Sequence, residues 1–389
     1  MRLLPLEYAV RNLGRSRSRL VLSVGGSALV VLLALCAAGF VRGMVAGLAG
    51  SGSPSNIMVL GAGSEESIER SEVDAATASL LAASIDGLRT AGGVLFVSPE
   101  IHSQLRASTM GHAADDGPSI LVRGVLPEAL LVHGGVQIVE GRFPRAGANE
   151  VLVGDAVARA IGASDAALGL GSVLTLGEEP WTIVGRFASP RTVMSGEAWV
   201  PLEDLRVSTR RTTDSCVVIA LADAEFDDVD FFCKTRLDLE LVAVRETEYY
   251  AGLRRFFAPI RIVVITTAVL IGLGGVLGGL NTMYAAFAAR VRELGMLQCL
   301  GYRRMAIALS LVQESTVAAA AGALVAAAIG SFVLDGTIIR FSTGTFGLRI
   351  DGPVMAIGLA CGFLVGLVGA VPPALRALRL PIPEALKSI

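Results

Sequence analysis

Charge is scarce in this sequence. Only 17% of its 389 residues are Asp, Glu, Lys or Arg, against about 25% in an average soluble protein. That deficit, with 53% hydrophobic residues and a mean hydropathy of +0.63, excludes an ordinary soluble domain and points to a membrane chain. Lysine is nearly missing, at Lys234 and Lys387, while arginine is plentiful, a usage that fits a GC-rich genome. No domain-sized basic surface exists to neutralise phosphates: from Arg42 to Arg261, 19 basic residues face 29 acidic ones. A nucleic-acid partner is therefore not expected. Histidine is limited to His102, His112 and His133. They stand apart in sequence, outside any HExxH or CxxC context, so neither a metal site nor a catalytic centre is expected. A GxxxxGK[ST] phosphate loop is also lacking, and this chain cannot by itself hydrolyse ATP. Of five cysteines, Cys36 and Cys361 fall in apolar runs and Cys299 in a basic stretch. Cys216 and Cys233 could form a disulfide in an oxidising compartment, or remain thiols.

What is present is hydrophobicity in blocks. A membrane helix takes roughly 20 mostly apolar residues. Four segments qualify: Leu20–Val41, Ile262–Ala289, Met305–Leu334 and Pro353–Leu375. Lys and Arg concentrate on the cytoplasmic side of spans. Residues 1–19 hold Arg2, Arg11, Arg15, Arg17 and Arg19; residues 290–304 hold Arg290, Arg292, Arg303 and Arg304; residues 376–389 hold Arg376, Arg379 and Lys387. One topology satisfies all three. Both termini and the loop 290–304 lie in the cytoplasm, and the segment 42–261 and short loop 335–352 lie outside. Glu314 is the one acid at membrane depth, expected at the interface or paired with Arg303 or Arg304.

The segment 42–261 reads as an α+β domain. Short β-rich runs recur at Ile57–Leu60, Val94–Ser98, Ile120–Val122, Val136–Val139, Glu150–Val153, Val173–Leu176, Trp181–Val184, Ala198–Pro201 and Cys216–Leu221, punctuated by turn residues. Ala75–Thr90 and Ala156–Ile161 read as helices, and the acidic run Asp223–Asp230 as a solvated loop. The fold class expected is thus four transmembrane helices with an α+β extracytoplasmic domain between the first two. Glu246–Pro259 would extend the second helix as a stalk, with Pro259 kinking it or marking its entry into the membrane.

Three segments carry more specific information. The second span contains two GxxxG pairs, Gly274/Gly278 and Gly275/Gly279. Small residues at this spacing let helices approach closely in lipid, within one chain or between two copies. The loop Arg290–Arg304 can form a short amphipathic helix with Leu294, Leu297 and Leu300/Gly301 on one face. A helix this short needs a docking partner. The tail from Val371 through Pro383-Glu384-Ala385-Leu386 closes the last span with prolines and continues as a short basic helix on the membrane or a partner.

These segments together resemble the FtsX-like, MacB-type permeases of ABC transporters. Arg292-Glu293-Leu294-Gly295 with Leu300-Gly301 resembles the family's motif after the second span. Pro373-Ala374, Ala377 and Pro383-Glu384-Ala385-Leu386 resemble its C-terminal motif. Ile138-Val-Glu-Gly-Arg-Phe, Asn149-Glu-Val-Leu-Val-Gly and Leu174–Phe187 resemble its periplasmic core domain. The resemblance implies a multi-pass protein of the bacterial inner membrane, working as a homodimer with an ABC ATPase that binds ATP and Mg. Residues Arg292, Glu293, Leu294, Gly295, Leu297, Leu300, Gly301, Tyr302, Arg303 and Arg304 would form its coupling helix, and the four glycines its dimer packing. Motion would pass outward to an adaptor, for export or extraction of a substrate, or to an extracytoplasmic hydrolase that it activates; the alternative is a membrane sensor whose outer domain binds a ligand.

Overall fold

The computed structural model describes residues 6–15, 17–109, 117–341 and 344–379. His112 and the tail motif Pro383–Leu386 lie outside them. Two compact units result. One is built from 1–42, 259–337 and 348–389, the other from 43–258 with 338–347.

The chain begins with amphipathic helix α1 (Leu6–Gly14) and a long helix α2 (Arg17–Ser51). The inserted domain follows as β1 (Asn56–Gly61), α3 (Thr77–Ser84), β2 (Thr90–Ala91), β3 (Val94–Leu95), β4 (Val97–Thr109) and β5 (Ser119–Val125). It continues with α4 (Ala129–Val132), β6 (Gln137–Gly141), β7 (Glu150–Gly154), α5 (Val157–Ile161), β8 (Val173–Leu176) and β9 (Glu179–Ala188). Then come β10 (Ala198–Pro201), α6 (Leu202–Thr209), β11 (Cys216–Ala220), α7 (Phe226–Thr235) and β12 (Leu241–Arg245).

One sheet runs β12-β1-β11-β4-β5-β10-β7-β9-β6, with β8 joining β4 to β9. Strand β4 spans its two halves. Val97–Glu100 pair with β11, Ile101–Arg106 with β5 and Ala107–Thr109 with β8. On the β11 side, α3 and α7 cover a core that includes Ile57, Val59, Leu81, Val217 and Val229. On the other, α5 and α6 cover Ile101, Val122, Val153, Trp181 and Val200. The period-two pattern of β9, which buries Trp181, Ile183 and Phe187, is the expected signature of a half-buried strand.

Several expectations shift in detail. The helix expected over Ala75–Thr90 covers only Thr77–Ser84, because Gly87 turns the chain with φ of +85°. The acidic run is not a loop throughout. Glu225 caps α7, in a reciprocal capping box with Asp228, and Asp227 and Asp228 sit favourably in the first turn. Cys216 and Cys233 are free and buried, on β11 and α7.

The remaining helices are α8 (Glu246–Phe256), α9 (Ala258–Ala288), α10 (Val291–Cys299), α11 (Arg304–Ile329) and, after hairpin β13 (Ile338–Phe341)/β14 (Gly344–Gly347), α12 (Gly352–Leu378). Helices over Leu20–Ser51, Ala258–Ala288, Arg304–Leu334 and Gly352–Arg376 are long and apolar enough to cross a membrane. Pro259 stands in the first turn of α9, where its missing N–H costs nothing. Pro372 and Pro373 do not end the last helix, which runs through them to Leu378. Neighbouring helices tolerate such prolines in membrane bundles.

Within the helical unit, small residues set the packing. A Cβ on Gly322 would meet Ser27 and the Val24 backbone of α2; one on Gly362 would meet Ala323 and Val31. Gly275 faces Val30, whose Cγ2 would stand 2.5 Å from an added Cβ, and Gly369 lies against Gly279. Gly274 and Gly278 have open space around them and are exposed. The glycines expected at a dimer contact therefore divide. Successive residues on a helix point about 100° apart, so one GxxxG pair packs inside the chain while the other faces away.

Candidate functional site

The loop 290–304 folds as predicted by its amphipathic pattern, but its faces are assigned differently from the sequence expectation. Leu294 and Gly295 are buried, and Leu297 is half-buried. Leu294 packs with Phe287, Ile307, Leu311 and Ala374, and Leu297 and Tyr302 lie against the same cluster. The leucine face thus belongs to the chain's own bundle. Arg292, Met296, Cys299 and Leu300, at helical spacing, form the exposed face, with Gly301, Arg303 and Arg304 beyond it. Leu300 ends α10, and Gly301 takes φ of +88°, a turn favouring glycine. Leu300 consequently leaves the leucine stripe and is 72% exposed.

The start of α10 is fastened by charge. Glu314 on α11 is buried and accepts from Arg290 Nη1 at 2.9 Å and from Asn12 Nδ2 of α1 at 2.6 Å. Arg290 also reaches Glu293 and the Tyr8 hydroxyl, each at 3.3 Å. One carboxylate therefore joins α1, the start of α10 and α11. The expected partners of Glu314, Arg303 and Arg304, are both exposed; Arg304 donates to the Leu378 carbonyl. Removing one partner of a buried ion pair costs about 3–5 kcal/mol. Glu314→Gln is accordingly expected to loosen α10 and raise tryptic cleavage after Arg292, Arg303 and Arg304. An unchanged digestion pattern would show that the pair does not fix the helix.

The inserted domain holds a second buried polar assembly. Glu100, at the point where β4 passes from β11 to β5, is fully buried. Its Oε2 accepts from Arg123 Nη1 at 2.7 Å and lies 3.1 Å from His102 Nε2. Its Oε1 lies 2.7 Å from His133 Nε2. Arg123 clasps Glu197 through two bonds of 2.8 Å, and Glu197 accepts from Trp199 Nε1 at 2.9 Å. Beyond His133 stands Glu246, the first residue of α8. Its Oε2 accepts from the Ser53 backbone N–H at 2.9 Å, and its Oε1 is 3.8 Å from His133 Nδ1.

Burial works against the Glu100 and Glu197 carboxylates. His133 and Arg123 overcome it at Glu100, and Arg123 at Glu197, so both titrate below the ordinary range. Burial and Arg123 push His102 down, in keeping with a neutral ring whose buried Nδ1 has no hydrogen-bond partner among the described residues. Burial also opposes a proton on His133, but Glu100 prevails and raises it. Glu246 is raised by burial, which His133 offsets only in part.

Glu100, His102 and Cys216 bring donor atoms within 4.8 Å of one another. They do not fit a metal centre, because Arg123 and the two imidazoles already engage both Glu100 oxygens. Burial also pushes the Cys216 thiol well above its usual range. The arrangement can store charge and protons and fix strands to helices. His102 and His133 stand apart in sequence; their convergence depends on strand pairing, and no local motif announces it.

Residues 20–229 match the sequence model of the MacB-like periplasmic core domain, and residues 265–382 that of the FtsX-like permease C-terminal region. A macrolide export ATP-binding/permease protein of Hahella chejuensis is 25% identical over 240 residues, 56% of this chain and 35% of the relative. That of Shewanella oneidensis is 23% identical over 328 residues, 79% of this chain and 49% of the relative. The chain thus spans half or less of the length of these relatives. Among solved structures, the periplasmic region of MacB from Actinobacillus actinomycetemcomitans aligns with a TM-score of 0.40 and 11% identity, covering 53% of this chain and 94% of that one. The extracellular domain of the noncanonic ABC-type transporter YknZ from Gram-positive bacteria aligns with a TM-score of 0.37 and 13% identity, covering 49% and 99%.

Proposed function

As this chain belongs to the FtsX-like, MacB-type family of ABC permeases, we propose that it is the membrane subunit through which a separate ATPase moves an extracytoplasmic domain. The observation that carries this reading is α10. One face of it is built into the helical unit through Leu294 and the Arg290–Glu314 pair, while Arg292, Met296, Cys299 and Leu300 stay exposed. A helix held on one side and open on the other can receive a push from a partner and pass it to α9 and α11, its neighbours in the chain. ATP and Mg belong to that partner.

The charges and the hairpin support one topology. Hairpin β13–β14 belongs to the same compact unit as the inserted domain, and Ile338 packs against its core. The loop 335–352 and the segment 42–261 then share one side of the membrane. The arginine-rich segments take the other side, the cytoplasm of a bacterial inner membrane. Work done on the outer domain would drive export or extraction of a substrate, with an adaptor as its outer partner.

A pull-down of the tagged chain in mild detergent tests the reading. A stoichiometric ABC ATPase is the expected companion, and its absence would leave α10 without the partner its exposed face requires. The second copy is expected on the free glycine face. Gly274→Leu with Gly278→Leu should lower the crosslinked dimer fraction several-fold while leaving the monomer inserted, because close helix approach is lost. An unaltered dimer fraction would place the contact elsewhere.

A further inference from the structure

We propose that His133, as an imidazolium, is the clasp that fixes the start of α8 to the sheet of the inserted domain, and that loss of its proton releases that helix end. This goes beyond the family function and concerns how the stalk segment is held.

Carboxylates at both ring nitrogens favour the imidazolium. His133 Nε2 faces Glu100 Oε1 at 2.7 Å, and Nδ1 faces Glu246 Oε1 at 3.8 Å. A neutral imidazole has one donor and one acceptor nitrogen; only the cation presents N–H to carboxylates on both sides. At 3.8 Å the Glu246 contact is an ion pair rather than a hydrogen bond, so it depends on the charge of the ring. Glu100 on β4 and Glu246 on α8 are the charged groups at the two nitrogens, Arg123 on β5 lies behind Glu100, and the Trp199 ring on β10 meets the imidazole edge-on at 6.0 Å. Three buried carboxylates, Glu100, Glu197 and Glu246, stand against one guanidinium, Arg123. With His133 neutral, the ionised cluster would carry a net charge of −2; protonation of His133 reduces that to −1. Buried charge of one sign is expensive, so the cluster retains a proton.

Glu246 makes this proton consequential. It is 1% exposed, it begins α8, and its other oxygen holds the backbone N–H of Ser53, just past the end of α2. Releasing the proton leaves an Nδ1 lone pair facing a carboxylate, and the two repel. The Glu100 bond survives, because the remaining N–H keeps the shorter contact. Glu246 then loses its cation, and the Ser53 and α8 attachments weaken together. A cavity of about 340 Å³, lined by Ser53, Asn56, His133, Ser189, Thr192 and Glu246 among others, gives the proton a path out.

The sign is fixed by the direction of the shift. A histidine raised above its unfolded value of about 6.5 gives its full stabilisation below that pH and loses it as pH rises through the folded value. Hydrogen exchange by mass spectrometry on the full detergent-solubilised chain, without any ATPase, reads this directly. After correction for the intrinsic pH dependence of exchange, peptides covering 53–56 and 246–257 should exchange about tenfold faster above the His133 transition than below it. A peptide covering α6 should not change, which separates local release from global unfolding. His133→Gln should exchange at the fast rate throughout and lose the transition. Glu246→Gln, which keeps an acceptor for Ser53 but removes the charge, should flatten the profile in a folded domain and serves if the histidine variant fails to fold. A flat corrected profile in the unmodified protein, or a preserved transition in Glu246→Gln, would overturn the proposal. Because no ATPase is present, the outcome is independent of whether one binds α10.

Discussion

Arg123→Leu is expected to destabilise the inserted domain by about 3–5 kcal/mol, the usual cost of leaving a buried charge uncompensated. Two carboxylates lose their guanidinium at once, though Glu100 keeps its imidazole contacts and Glu197 keeps Trp199. Arg123 alone binds both oxygens of Glu197 and one oxygen of Glu100, and all three side chains are almost completely buried. Against a total of about 5–15 kcal/mol for a typical domain, that is a large fraction. For a domain of this size the melting midpoint should fall by roughly 10 °C. Adding Glu197→Gln and Glu100→Gln should recover part of the loss, since neutral amides remove the stranded charges. A melting curve unchanged by Arg123→Leu would mean that water or rearrangement screens the cluster.

The same cluster sets the acid limit of the domain. The Glu100 and Glu197 carboxylates titrate below their ordinary values, Glu100 held there by His133 and Arg123 and Glu197 by Arg123. Their contribution is present above the unfolded carboxylate range, near 4.3, and is lost as pH falls through their lowered values. His133 acts in the opposite sense, losing its contribution as pH rises. Thermal stability should therefore peak between the two transitions.

What the sequence disclosed and what it concealed divide along one line. Four helices and an inserted α+β domain follow from apolar runs and short β-rich runs, which are local, and the charge bias that suggests their orientation is local too. Strand β12 has no clear signal in the sequence, because Leu241–Arg245 is short and runs straight into α8. The polar cluster was invisible for a different reason. Glu100, Arg123, His133, Glu197 and Glu246 come from distant segments, and only the handover of β4 from β11 to β5 brings Glu100 to the middle of them. The exposed face of α10 is not legible in the sequence, because Leu294, Leu297 and Leu300 share a helical stripe only while the helix lasts. The bundle takes Leu294 and Leu297, and the Gly301 turn detaches Leu300. Glu314 carried a clear signal, an acid inside an apolar helix, but its partners Arg290 and Asn12 lie 24 and 302 residues away.

Met296→Glu combined with Leu300→Glu should abolish co-purification of the ATPase while leaving the chain folded. Both side chains are exposed, at 47% and 72%, and substitutions at such positions usually change stability by under about 0.5 kcal/mol. Docked against a partner, each would bury apolar surface worth roughly 1.5–3 kcal/mol. Replacing both with carboxylates removes that gain and places charge in the contact, so affinity should fall by about 3 kcal/mol or more, at least 100-fold in Kd. Leu294→Ala is the opposite case. Leu294 is 3% exposed and sits among Phe287, Ile307 and Leu311, so its truncation should cost about 2–5 kcal/mol of fold stability. Comparing the two separates a docking defect from a folding defect. Melting curves should move for Leu294→Ala and not for the double glutamate variant, and binding to a purified ATPase should fail for the double variant at unchanged melting. Undiminished binding by the double variant would remove the exposed face of α10 from the contact and shift the search to the neighbouring arginines, Arg303 and Arg304.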